Sequence, residues 1–294
     1  MRPSCVEVVR AGALTTVQDR GRPGLAHLGV PPSGALDRRA LALANRLLGN
    51  PPEAAAFETT LDGVALRLDG SCRLVVTGAP AEVSVGGRPA AWGAPVEVPA
   101  GAVVQVGPAS TGLRSYVALA GGVAAEAVLG SRSHDVLSGL GPPPLRAGDR
   151  IPLGARPPGF APAVDVAPQP APPDELELTL WDGPRRDRLA LEGTSILRSA
   201  AWTVSAASNR IGLRLEGPAL ALSGGGELRS EALVTGAVQV PPDGRPVIFL
   251  RDHPTTGGYP VIGVIDPGEL SACAQARPGT PVRFHPRRVG WASR

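Results

Sequence analysis

The sequence predicts a mainly β protein built from two β-rich domains with a few short helices. Three observations carry that reading. Gly 38 and Pro 33 are abundant yet scattered between short alternating apolar segments, the pattern of strands joined by tight turns. A length of 294 residues is about twice that of an ordinary domain. Between two such regions, residues 156–174 hold seven prolines and almost no apolar periodicity, which reads as an extended connector. The expected organisation is therefore a β-rich domain over 1–155 with one amphipathic helix, a Pro-rich linker over 156–174, and a second β-rich domain over 175–294.

The elements follow in chain order. Leu36, Ala40, Leu43, Ala44, Leu47 and Leu48 share one helical face, and Gly49-Asn50-Pro51 supplies the stop. Ser33 or Asp37 is the expected cap, with anion binding at the same helix start as the alternative. Strands are expected at 64–68, 73–76, 103–106 and 116–119, and after the linker at 176–180, 238–240, 247–250, 261–265 and 282–284, all bounded by Gly or Pro. A last helix is expected with Asp266 as N-cap, Pro267 at the first position and Glu269 completing a capping box. That placement puts Cys273 in a core.

Composition excludes several chemistries. All 29 basic residues are Arg and none is Lys, so there is no Walker lysine, no Schiff-base lysine and no lysine to carry biotin or lipoate. The net charge of +3 does not call for a nucleic-acid partner. No apolar run approaches the ~18 residues of a membrane span, and Glu7 interrupts the only apolar stretch at the start, so a cytoplasmic protein without a secretory signal is expected. Cys5, Cys72 and Cys273 are too far apart for a CxxC pair, and the four histidines lack metal-ligand spacing, so reduced thiols and no metal site are expected. No GxSxG nucleophile turn is present.

Four segments combine polar side chains with turn formers. In the densest, 250–260, Asp252 precedes Thr255-Thr256-Gly257-Gly258-Tyr259 between two apolar strands. Hydroxyls beside glycines expose backbone N–H groups to a ligand, Asp252 can act as a base, and Tyr259 can stack or donate. The alternative is a hairpin whose Asp252 and Thr255 bond local backbone. In the second, 207–218, Arg210 and Arg214 can clamp a carboxylate or phosphate, or Arg214 can simply pair with Glu216 on a strand face. The third covers 17–24 and 29–37 before the first helix. The fourth is 130–135, where His134 is expected at the surface.

Taken together, Gln18-Asp19-x-Gly21-Arg22-Pro23-Gly24, Gly29-Val30-Pro31-x-Ser33-Gly34-x-x-Asp37, Ala44-Asn45-x-Leu47-x-Gly49-Asn50, Gly130-Ser131-Arg132-Ser133, Gln239-Val240-Pro241-x-x-Gly244 and Thr255-Thr256-Gly257-Gly258-Tyr259-Pro260 resemble the KipA family. That family is also described as the C subunit of bacterial ATP-dependent 5-oxoprolinase, and it is similar to one half of the carboxyltransferase region of urea carboxylase. The resemblance implies a cyclophilin-like β-barrel in the second domain. It implies partnership with a KipI-like subunit and a LamB/YcsF-like subunit, and opening of the 5-oxoproline lactam to glutamate with ATP, Mg expected beside the nucleotide. It points to Asp252, Thr255, Thr256 and Tyr259 as catalytic residues, and to Gln239, Gly257, Gly258, Asn209, Arg210 and Arg214 as substrate-binding ones.

Two further activities stay open under the same resemblance. One is carboxyl transfer to a urea or amide nitrogen from carboxybiotin carried by another protein. The other is regulation, by binding a KipI-type inhibitor of a sensor kinase. The chain departs from the family at Asn209, where relatives have Asp, and at His253-Pro254, where Pro removes an amide that a ligand can use.

Overall fold

The structure is a computed structural model that describes residues 4–155, 167–224 and 228–287. It is mainly β and divides into two units, 1–22 with 33–172 and 23–32 with 173–294. The segment 23–32 thus belongs with the second unit, a crossing that local sequence pattern does not carry. Residues 156–166 of the expected linker lie outside the described residues. Beyond them, the Ala167 amide donates to the Gly93 carbonyl (3.0 Å) and the Gln169 side chain accepts from the Gly78 amide (2.9 Å), so this part lies along the first unit.

The first unit contains two sheets. One has six strands in the order Arg150–Pro152, Cys5–Arg10, Val64–Leu68, Val103–Ala109, Ala81–Val85 and Arg88–Ala90. The other has five, in the order Leu14–Gln18, Ala56–Thr60, Arg114–Leu119, Cys72–Gly78 and Val96–Val98. The period of two explains how they share a core. Leu74, Val76, Val117 and Leu119 point into one apolar cluster with Val6, Val8, Leu66 and Val104 of the other sheet. Their neighbours Val75, Tyr116 and Ala118 point the opposite way, against helix α1 (Arg38–Leu48) through Ala40, Leu41, Ala44, Leu47 and Leu48. Asp37, not Ser33, caps this helix, accepting from the Ala40 amide at 3.1 Å, and Gly49 ends it in the left-handed conformation.

The second unit is a closed barrel of Leu176–Asp182, Val261–Ile265, Ala237–Gln239, Val247–Phe249, Gly212–Glu216, Trp202–Val204 and Pro281–Arg287, which pairs in parallel with the first strand to close the ring. Leu176, Leu178 and Leu180 are buried at alternate positions, as are Leu213 with Leu215 and Val282 with Phe284. Each such side chain contributes about 1.5–3 kcal/mol on burial. Trp202 packs on Phe284 with ring centroids 5.3 Å apart.

Two helices of this unit differ from expectation. Helix α2 (Leu191–Ser199) carries little sequence signal, because only Gly193 and Leu197 are buried and its apolar stripe is thin. Helix α3 (Leu270–Gln275) begins at Leu270 rather than after Asp266. Asp266 instead closes a turn by accepting from the Gly268 amide (2.8 Å), and the Glu269 carboxylate reaches across to the Thr179 amide (2.7 Å), so the capping box does not form. Cys273 is fully buried as expected, and burial, reinforced by Glu269, pushes its thiol up to about 12.

Candidate functional site

The 250–260 loop leaves the strand Val247–Phe249 and returns as Val261–Ile265, so both of its ends are fixed by the barrel. Its base is a buried ion pair. Arg210 donates from Nε to Asp252 Oδ2 (2.8 Å) and from Nη2 to Oδ1 (3.0 Å), with the two side chains 1% and 0% exposed. The backbone repeats the connection, Leu250 N–H donating to Ile211 O and Asp252 N–H to Arg210 O. Asn209 shapes the other partner of this clasp, its Oδ1 accepting from the Ile211 amide at 2.8 Å. An aspartate would offer the same acceptor, so the departure at this position alters charge while keeping the turn.

This geometry revises two expected roles. Both Asp252 oxygens face the Arg210 guanidinium, so the carboxylate holds the loop on the barrel and is not presented to solvent as a base. Arg210 is committed in the same way and does not stand ready as an anion clamp. Arg214 is exposed on the strand Gly212–Glu216, and the expected pair with Glu216 is replaced by a bond from the Ser205 hydroxyl to Glu216 Oε1 (2.6 Å).

The upper part of the loop is open. Thr256–Gly257 pairs with Glu231–Ala232 in a two-residue ribbon. Gln239, nearly buried, donates from Nε2 to the Tyr259 carbonyl at 3.0 Å. A Cβ on Gly257 would come within 2.7 Å of that Nε2, so glycine is required here for the Gln239 side chain to lie against the loop. Thr255 is half-buried and Thr256 exposed. Past them, Gly258, Tyr259 and Pro260 form one wall of a cavity of about 370 Å³, and Tyr259 is 41% exposed.

Arg188, Ser223 and Gly224 contribute the polar part of the opposite wall, and Leu222, Leu228, Val240 and Pro242 the apolar part. Backbone pairing fixes Arg188, whose carbonyl accepts from the Ser223 amide (2.7 Å) beside an antiparallel bridge between Leu189 and Leu222. A neighbouring arginine ties this wall to the ribbon. Arg185 Nε donates to Glu231 Oε2 (3.0 Å) and its Nη2 bonds Oε1. The hydrogen bond to Arg185 holds the Glu231 carboxyl below the usual carboxylate range, and Glu231 in turn raises Arg185. The sequence pointer to Arg188 is Arg185-Arg186-x-Arg188 directly after a strand, but nothing local links it to a loop 70 residues away.

In the first unit, the motifs at 18–22 and 131–135 converge on Asp19. Its Oδ1 accepts from the Gly21 amide (2.7 Å) and from the Ser131 and Ser133 hydroxyls (both 2.6 Å), and its Oδ2 from the Arg132 amide (2.6 Å). His134 is 7% exposed, not at the surface as expected, because its carbonyl accepts from both Gln18 Nε2 and Ser33 Oγ. The start of α1 is equally occupied: Glu58 Oε2 accepts from the Leu36 amide and the Tyr116 hydroxyl, and that hydroxyl oxygen accepts from the Asp37 amide. Burial, then Glu58 and Asp37, push the Tyr116 hydroxyl pKa well above its ordinary value. These groups organise the first unit and leave the helix start no place for an anion.

The family model for the carboxyltransferase domain, subdomain A and B, matches residues 28–286. The chain belongs to that family. Among relatives, this carboxyltransferase-family chain is 34% identical over 289 residues to the C subunit of 5-oxoprolinase from Escherichia coli K12, covering 95% of this chain and 90% of that protein. The solved structure of TTHA0988 aligns with a TM-score of 0.88 at 34% identity, over 97% of this chain and 56% of that one. The urea amidolyase of K. lactis aligns with a TM-score of 0.89 at 30% identity, over 97% of this chain and 19% of that far longer one.

Proposed function

We propose that this chain is the C-type subunit of an ATP-dependent 5-oxoprolinase, working with a KipI-like subunit and a LamB/YcsF-like subunit. The observation that carries the reading is the near full-length likeness to the Escherichia coli C subunit, 95% of one chain against 90% of the other. The wall formed by Gly258, Tyr259 and Pro260 supports it, since the densest of this chain's polar loops then borders a volume within the ~300–1,000 Å³ range of small-molecule sites.

The reaction adds water to the ring carbonyl carbon and breaks the C–N bond, and the nitrogen leaves as the amine of glutamate. A ring amide is a poor electrophile, and ATP supplies the activation of its oxygen. Among the described residues, the cavity lining does not fit the nucleotide itself. A triphosphate calls for several cations or a cradle of backbone N–H groups, whereas the described wall offers one guanidinium among apolar side chains. In this reading the chain's part is to bind and orient the lactam: Gln239 and Gly257 fix the loop, Asp252 and Arg210 anchor it, and Tyr259 borders the ligand. The Thr255 and Thr256 hydroxyls stand next to that wall as donors toward the shared site.

The family name and the likeness to urea amidolyase favour a second reading, carboxyl transfer to a urea-like nitrogen from carboxybiotin on another protein. The two separate in one experiment, in which the chain is co-purified with its KipI-like and LamB/YcsF-like partners. The first reading expects ATP hydrolysis that depends on 5-oxoproline and yields glutamate. Absence of that activity, with carboxylation of urea on adding carboxybiotin, establishes the second.

A further inference from the structure

The cavity carries an unassigned specificity determinant in Arg188. Its main chain is held twice against residue 223, by the Ser223 amide (2.7 Å) and by the Ser223 hydroxyl (3.2 Å), both donating to the Arg188 carbonyl. The side chain then passes beside Gly224, where an added Cβ would lie 2.9 Å from Nη1. Gly224 also has φ +80°, so a larger residue is strained by conformation and displaces the guanidinium. The acid of the ribbon, Glu231, is hydrogen-bonded by Arg185 through both oxygens and feels the Arg188 charge without bonding it. Among the described residues, the Arg188 guanidinium makes no hydrogen bond or ion pair of its own. The rest of the lining is one phenol, one hydroxyl already donating to carbonyls, and apolar side chains.

One planar cation in a largely apolar, half-open cavity suits a small monoanion with an apolar body, because the guanidinium fork matches a carboxylate and the apolar neighbours lower the dielectric around the pair. We infer that Arg188 binds the carboxylate of a compact cyclic amide acid in this cavity, with the ring lying toward Tyr259 and Pro260. This rests on the 5-oxoprolinase reading for the ring but on the cavity alone for the charge. In the assembly, this chain then selects the acid.

The test uses the assembled complex and the full chain. In the complex, Arg188→Gln raises KM for 5-oxoproline at least about tenfold with kcat within about twofold, and Arg188→Lys falls between. On the full chain, ligand-observed NMR compares 5-oxoproline with its carboxamide, the same ring without the charge. The acid binds to the native chain and is lost in Arg188→Gln, while the carboxamide binds neither. An unchanged KM in Arg188→Gln, or equal binding of acid and carboxamide, overturns the inference and leaves the oxoprolinase reading intact. A complex without 5-oxoproline-dependent ATP hydrolysis, whose chain still binds the acid through Arg188, overturns that reading and keeps the inference. The thermal midpoint of Arg188→Gln, expected near the native value, separates loss of binding from loss of fold.

Discussion

Two polar regions, the Asp19 cluster of the first unit and the Asp252 loop of the second, begin alike and end differently. Each is built on a buried carboxylate whose oxygens are engaged by fixed donors. Around Asp19 the donors are hydroxyls and amides of nearby turns, and the region is consumed in holding those turns together. Around Asp252 both oxygens accept from a guanidinium, and the chain continues past it to Gly258, Tyr259 and Pro260 on a cavity wall. The lesson is that in both regions the acid is scaffold, and ligand chemistry belongs where polar groups face open volume.

The comparison is broken most severely by removing one partner of the buried pair. Asp252→Ala leaves the Arg210 charge buried and uncompensated and is expected to cost about 3–5 kcal/mol in urea unfolding. The apolar double replacement Asp252→Leu with Arg210→Met recovers most of that loss. A stable Asp252→Ala chain that abolishes turnover would instead make this carboxylate a participant in the chemistry. A smaller effect is expected at Asp19. Asp19→Ala strands buried hydroxyl and amide donors and costs about 1–3 kcal/mol in the same measurement, with KM for 5-oxoproline unchanged. A raised KM with native stability would place a ligand contact in the first unit.

The smallest effect contrasts a thiol from each unit. Because the folded pKa of Cys273 is raised to about 12, its neutral form is favoured by the fold. Its contribution to stability is complete below the ordinary thiol pKa of 9.0 and is lost as pH rises from there toward 12. At about pH 8.5, mass spectrometry after brief iodoacetamide treatment is expected to find Cys5, which is half-buried, labelled well ahead of Cys273. Equal labelling would contradict the closed core around α3.

Much of this fold is legible in the sequence because alternation and capping act over short distances. Flanking glycines give Val64–Leu68 its observed limits, and α1 starts at the Asp37 carboxylate cap and ends where Gly49 takes the left-handed conformation. The start of α3 departs from its capping pattern because the Glu269 carboxylate is drawn to Thr179, 90 residues away, and no local signal competes with that. The same distance effect governs the site. The loop itself is visible in its hydroxyls and glycines, but the role of Asp252 depends on Arg210, 42 positions earlier. Arg188 joins Tyr259 only because the barrel brings their segments together. Pairings of that kind leave no periodic trace in a single sequence.

The central claim is that the cavity between Arg188 and Tyr259 receives the substrate. A crystal structure of the assembled complex grown with 5-oxoproline tests it directly. The account predicts the ligand in this cavity, its carboxylate within hydrogen-bond distance of the Arg188 guanidinium and its ring against Tyr259. A well-ordered ligand bound elsewhere, with this cavity holding only solvent, would contradict it.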